Sequence, residues 1–209
     1  MSATSDTLNY ELNKPFFKTL SVYDWIFAAL VTCGAFYSWN GYASLMDAYE
    51  VGILFGRGLG MIGLGWYWKE SRTLMLSVAM ISIYAVTQYE PAVMALKAEG
   101  MDGRQAIAAL SDWQNKEQGK FIFKYFLSSA TAVGWMCFLF GLATVTYFFN
   151  LFVKSEFPGR VATKVTWIAS AMGLIGLMVR WRESYLIDFE IGHIPVSNLY
   201  EVFVLFSII

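Results

Sequence analysis

The chain has 209 residues, of which 57% are hydrophobic and 15% charged, with a net charge of −1 and a mean hydropathy of +0.48. A soluble domain carries about 25% charged residues, so this composition excludes an ordinary water-solvated fold and points to lipid-embedded segments. The near-zero net charge argues against nucleic acid as a partner and gives no polybasic attraction to anionic lipid.

Residues 1–20 are polar and mixed, with an interfacial turn predicted at Pro15-Phe16-Phe17. No signal peptide lies close to Met1. The first predicted span is 22–39, with Trp25 and Trp39 as interfacial anchors. Its length at about 1.5 Å per residue is about 27 Å, close to a hydrocarbon core of about 30 Å. The second is 51–68. It places Gly52, Gly56 and Gly60 at four-residue spacing, which predicts a bare helix face for close approach of a neighbour. The same stretch holds a formal G-x-G-x-x-G at 58–63, but no strand precedes it and no crossover unit follows, so a dinucleotide site is rejected. Arg57 lies inside this span, where a central charge costs roughly 2.5–3.5 kcal/mol. Snorkelling to the interface explains it; contact with an anionic ligand group is the alternative.

A third span is predicted at 73–88. Residues 89–121 form the longest polar stretch, with surface helices expected over 92–100 and 103–113. Its carboxylates are scattered and no histidine accompanies them, so no catalytic grouping arises there. The run 122–153 is nearly unbroken in apolarity and exceeds one perpendicular span, which predicts tilt or projection. A turn at Pro158-Gly159 leads to a fifth span over 162–181. A sixth begins at 198–209 but reaches only about 18 Å, so the chain is expected to be the N-terminal part of a longer protein. These runs are too long for barrel strands of about 9–11 residues, and within lipid the remaining choice is the helix. The expected fold is therefore all-α: a polytopic helical membrane protein with five complete transmembrane helices and the start of a sixth, forming one transmembrane region over 1–209. Cys33 and Cys137 each sit in an apolar stretch outside any C-x-x-C and read as small buried residues.

One polar stretch, 179–202, stands between the last two apolar runs. It contains His193, the chain's single histidine. Arg180, Trp181, Arg182, Glu183, Ser184 and Tyr185 come first. Gly192-His193-Ile194-Pro195-Val196-Ser197-Asn198-Leu199-Tyr200-Glu201 follows. Gly192 and Pro195 restrict the backbone around His193. Ser197 or Asn198 can cap the next helix, and Glu201 can complete a capping-box-like arrangement with Asn198.

The run G-H-x-P-x-S-N-L-Y-E, with R-W-x-E-S-Y upstream, resembles the CcsA/ResC type of cytochrome c biogenesis protein (system II). The resemblance covers the N-terminal part of that family. Its tryptophan-rich segment and later histidines would lie beyond Ile209. It implies an integral component of the bacterial inner membrane that delivers haem across the membrane for attachment to apocytochrome c. It also implies a second cytochrome c biogenesis membrane subunit as partner, and cytochrome c synthase activity for the full-length family. Under it His193 is a candidate haem-iron ligand, Arg180 and Arg182 suit haem propionates, and Trp181 and Tyr185, with Tyr200, suit the haem face. A lone histidine beside a proline turn is more commonly a hydrogen-bonded structural residue, so His193 also reads as one that holds the loop. Gly192, His193, Pro195, Ser197, Asn198, Leu199, Tyr200 and Glu201 carry the motif. The chain has no nucleophile–base pair, so no catalytic residue is assigned, and without C-x-x-C-H it is not itself a c-type cytochrome.

The count of basic residues is seven on each side of a five-span layout. The denser charges favour a cytoplasmic N-terminus and a periplasmic 182–197 loop. A multi-pass transporter or permease fragment and a structural docking subunit of a respiratory complex are the competing readings.

Overall fold

The computed structural model describes residues 16–43, 48–116, 121–153, 155–188 and 198–208. Regular structure among them is entirely helical. The chain divides into two compact units, Met1–Thr73 and Leu74–Ile209.

The first unit contains a 3-10 turn (Phe16–Thr19), helix α1 (Val22–Tyr42) and helix α2 (Ala48–Tyr67), which packs on α1. Helix α3 (Lys69–Ala98) starts in this unit. Phe27 and Ala28 are buried, and Phe27 lies where a Cβ on Gly65 would stand, so that glycine admits the ring. The opening of α1 is built around a buried carboxylate. Asp24 accepts hydrogen bonds from the Ser21 backbone N–H at 2.5 Å and the Ser21 hydroxyl at 2.9 Å. Arg72 forms an ion pair with Asp24, donates to the Gly65 carbonyl at 2.6 Å, and stands 5.9 Å from the Phe27 ring centroid. Trp66 donates its indole N–H to the Asp24 carbonyl at 3.0 Å. Burial pushes the Asp24 carboxyl up, but the two Ser21 hydrogen bonds and the Arg72 charge together hold it below the ordinary value.

The second unit is organised around one long helix. Helix α4 covers Gly103–Lys116, a π-helical turn covers Phe123–Leu127, and helices α5 (Ser129–Asn150), α6 (Phe157–Ile187) and α7 (Leu199–Ile208) follow. The α5–α6 pair makes the most extensive helix contact in the chain, and α7 lies against α6. Small residues allow this approach. Ala162, Ala169, Gly173 and Gly176 of α6 are buried, as are Ala132 and Ala143 of α5. A Cβ on Gly176 would meet Val133 at 2.9 Å and the Ser129 carbonyl oxygen at 3.2 Å. Close backbone approach through small residues is how helices associate where lipid tails remove the hydrophobic drive. Tyr89, Val93, Ala106, Phe123, Ile175 and Val179 form the larger core, with the Tyr89 and Phe123 rings stacked at 5.2 Å.

Turn chemistry explains the α3–α4 junction. Gly100 adopts φ +95°, where side chains are strained, and Met101 N–H returns to the Leu96 carbonyl at 3.3 Å. Asp102 and Gln105 exchange backbone-to-side-chain hydrogen bonds at 2.8 and 3.2 Å, a capping box that starts α4.

The helical class agrees with expectation, but the five complete transmembrane helices do not. Among the described residues two helices, α5 and α6, are long and apolar enough to cross a membrane. The difference has physical causes. The expected span 22–39 lies within α1, whose tryptophans, tyrosines and buried Asp24 suit an interface better than hydrocarbon. The expected span 51–68 lies within α2, which is diluted by six glycines and carries Arg57, an exposed residue. The expected span 73–88 is part of α3, which runs on past Glu90 and Pro91 to Lys97; the surface helix expected over 92–100 is its continuation. The run 122–153 is not one overlong helix. Ser128 turns extended and caps the π-helical turn by donating its N–H to the Phe123 carbonyl at 2.8 Å, so α5 starts afresh at Ser129. The expected 162–181 helix extends at both ends to become α6, and the partial sixth is the ten-residue α7.

The glycine face expected on α2 is also corrected. Gly52, Gly56 and Gly60 are exposed, and no described atom lies within 4 Å of a Cβ placed on any of them. The glycines at which a Cβ would come within 3.0 Å of a described atom are Gly65, Gly103, Gly173 and Gly176.

Candidate functional site

The C-terminal half of α6 is held from two sides. On one side, α3 contributes three polar contacts. The Tyr89 hydroxyl approaches the Val179 carbonyl at 3.4 Å, Glu90 pairs with Arg182, and Lys97 donates to the Leu186 carbonyl at 3.0 Å. A cation there meets the carbonyls left unpaired at a helix C-terminus. Gly103, opening α4, sits against the Ile187 backbone so closely that a Cβ would overlap it.

On the other side, α5, α6 and α7 line a half-open cleft of about 570 Å³. Its walls are apolar at Ala130, Val133, Leu177 and Leu199. Ser129, Arg180, Asn198 and Tyr200 supply polar groups. The Asn198 side chain accepts the Glu201 N–H at 2.9 Å and so caps α7 as expected.

Two buried carboxylates stand behind the cleft. Glu183 is 6% exposed and accepts a hydrogen bond from the Ser129 hydroxyl at 2.8 Å. Glu201 is 5% exposed. Arg180 lies between them, 3.5 Å from Glu183 and 4.0 Å from Glu201, with its own side chain 39% exposed. Arg180 thus bridges the two carboxylates.

The expected haem-contacting residues separate. Arg180 lines the cleft, whereas Arg182 turns to Glu90 on α3. Trp181 and Tyr185 share a further face, with ring centroids 6.4 Å apart, and the Trp181 indole N–H is buried with no hydrogen-bond partner among the described residues. Residues two apart on a helix point about 200° apart, so Arg180 and Arg182 do not form one forked seat for a propionate pair. Arg180, already facing two carboxylates, is poorly placed to attract a third. These four side chains do not make a haem seat by themselves. Asn198, Leu199, Tyr200 and Glu201 of the motif are at or beside the cleft; Gly192, His193, Pro195 and Ser197 lie outside the described residues. Among the described residues no group of three metal-ligating side chains occurs.

Ser129, Glu90, Lys97 and Glu183 join the site without having been expected there. Glu183 carries a readable signal, since it lies one helical turn after Arg180. Ser129, Glu90 and Lys97 act over 54 to 92 residues of chain, and no local pattern reveals such pairs. No protein-family model, curated protein or solved structure matches the chain.

Proposed function

We propose that this chain is an integral membrane component of c-type cytochrome maturation, with haem as the cargo it handles and apocytochrome c as the acceptor. One observation carries the reading. The two sequence runs that resemble the CcsA/ResC family are separate in the chain, yet they meet at one cleft. The upstream run supplies Arg180 to its wall and the downstream run supplies Asn198, Leu199 and Tyr200, with Glu183 and Glu201 beside Arg180 behind it. His193, between the two runs, is the candidate iron ligand; Arg182, Trp181 and Tyr185 support the helix end that carries Arg180. A second biogenesis membrane subunit is the proposed protein partner.

The proposed setting is the bacterial inner membrane. Helix α5 has 22 residues without a charge, about 33 Å at the α-helical rise, enough to cross. In α6 the uncharged stretch runs from Val165 to Val179, about 22 Å at the α-helical rise, with Lys164 and Arg180 at its ends, long side chains that can reach toward the headgroups. Lys154, Arg160 and Lys164 flank the short α5–α6 connection and favour the cytoplasm for it. That assigns 182–197 to the periplasmic face. Two crossings return the chain to the side it left, so the residues just before Ser129 share that face. A cytoplasmic N-terminus needs an odd number of crossings ahead of residue 182.

The test is His193→Ala, read twice: Soret absorbance of the purified protein, and covalent haem on a reporter cytochrome made in the same cells. The expected outcome is normal membrane accumulation with reduced reporter haem. A lowered or shifted Soret band identifies iron ligation, and an unchanged band with failed transfer identifies a positioning role. Wild-type haem on the reporter, together with no Soret band in either protein, rejects the proposal.

A further inference from the structure

We propose that the outer face of α5 seats one acyl chain of an anionic phospholipid, with the headgroup phosphate beside Lys124. The seat is a shallow groove lined by Tyr125, Thr131, Gly134, Trp135 and Phe138. The four α5 residues follow i, i+3, i+4, i+7 spacing and so share one helix face. That face is turned away from α6, which α5 meets through Ala132, Val133 and Met136. Gly134 forms the floor: it is exposed, and no described atom lies within 4 Å of a Cβ placed on it. Trp135 forms a wall that is held in place. Its indole N–H donates to the Tyr125 carbonyl at 2.8 Å, its ring stacks on Phe126 at 5.2 Å, and it meets the Phe138 ring edge-on at 5.7 Å. The indole's polar group is thereby used inside the protein, and the wall it offers a ligand is apolar.

Depth and charge select the ligand. Helix α5 has 22 uncharged residues, enough to fill the hydrocarbon core, so its first turn lies near the headgroups. From Thr131 to Phe138 the groove runs inward by about 10 Å, within the half-core of about 15 Å that one leaflet supplies. That is the direction and depth of an acyl chain. Past Phe138 the same face continues through Leu142, Val145 and Phe149, all exposed, which gives the rest of a chain an apolar path. At the outer end the π-helical turn sets Lys124 Nζ 5.0 Å from the centroid of the Tyr125 ring, so a cation stands at the mouth of the groove. Lysine serves as a point charge for phosphate. A partner's transmembrane helix is the other apolar occupant, and Phe138 opposes it. This ring is 61% exposed one turn beyond Gly134 and keeps a second backbone off the glycine, whereas a flexible chain passes along it.

The seat rests on the membrane setting proposed for α5 and on nothing about haem; the experiment separates the two. The full chain is placed in phosphatidylcholine vesicles with a trace of phosphatidylglycerol, or of phosphatidylcholine, carrying a diazirine on one acyl chain. After irradiation, labelled peptides are quantified at 125–138 and, for reference, at 148–152, where Phe148, Leu151 and Phe152 are exposed outside the groove. In Lys124→Gln the ratio of phosphatidylglycerol to phosphatidylcholine labelling at 125–138 is expected to fall about fivefold, the effect of one lysine near an anionic headgroup, and to stay unchanged at 148–152. In Gly134→Leu, whose added carbons fill the floor, labelling of 125–138 is expected to drop with both probes while 148–152 keeps its label. The open space around position 134 lets that variant fold, which circular dichroism checks. A ratio that survives Lys124→Gln overturns the anionic headgroup, and unchanged labelling in Gly134→Leu overturns the groove. Label at 148–152 with none at 125–138 in the parent means that a protein surface covers the groove, which overturns the seat and keeps the membrane setting. Absence of label from both segments overturns the membrane setting itself.

Discussion

Replacing Gly176 with leucine should damage the second unit, while the same change at Gly56 should leave the protein intact. The first added carbon at position 176 would stand 2.9 Å from Val133 Cγ2, 3.2 Å from the Ser129 carbonyl oxygen and 3.3 Å from Ala132 Cβ. Carbon atoms pack best at about 3.5–4.0 Å. The overlap is therefore several tenths of an ångström against three neighbours, one of them backbone that cannot rotate away. Extra carbons in a packed core cost about 1–3 kcal/mol, and leucine brings three beyond Cβ, which puts Gly176→Leu at about 3 kcal/mol by the same scale. At about 2–4 °C per kcal/mol for a chain of this size, the melting temperature should fall by about 6–12 °C. Position 56 has nothing within 4 Å of its Cβ and is exposed. There the substitution removes a helix-interior glycine, worth about 0.5–1 kcal/mol in favour of the variant, so Tm should hold or rise by about 1–4 °C. Thermal circular dichroism of both variants in one detergent measures the contrast. A large loss at Gly56→Leu with none at Gly176→Leu would mean that the small-residue seam lies on α2, and the packing argument for α5 and α6 would fail.

The Asp24–Arg72 pair makes the first unit acid-sensitive. The folded carboxyl titrates below its ordinary value of about 3.9, so its stabilisation is complete above about pH 4 and is lost as pH falls through the lower folded value. Asp24→Asn should cost about 3–5 kcal/mol by stranding the largely buried Arg72 and should flatten the acid limb of a tryptophan-fluorescence pH titration; an unchanged acid limb would show that the pair does not govern it. For topology, single cysteines replacing Gln105 and Glu190 should label from the same side of the membrane and one replacing Ser155 from the other. A cysteine replacing Glu70 should label with Gln105→Cys if α5 and α6 are the crossings, and labelling opposite to it would restore an additional crossing between them.

Helical class was legible because apolar runs of this length have one way to satisfy their backbone in lipid. Which helices cross was not legible from residue class alone. Counting Trp, Tyr and Gly with Leu and Ile makes α1 and α2 look as apolar as α5, although aromatic rings with polar tips favour the interface. The break at Ser128 was equally hidden. It depends on Phe123 and Leu127 turning inward, Phe123 onto Tyr89, a contact between residues far apart in sequence. At the site, the cap from Asn198 was readable because it is local. The fate of the arginines turned on one boundary. With a span ending at 181, Arg180 and Arg182 flank a helix terminus, and both can bend toward a single ligand in the loop. With α6 continuing to Ile187, both are locked into helical geometry about 200° apart. Arg182 must then face α3 and Arg180 must face α5 and α7. A six-residue change in where a helix ends thus sends the two arginines to different neighbours, Arg182 to Glu90 and Arg180 to the cleft beside Glu183 and Glu201.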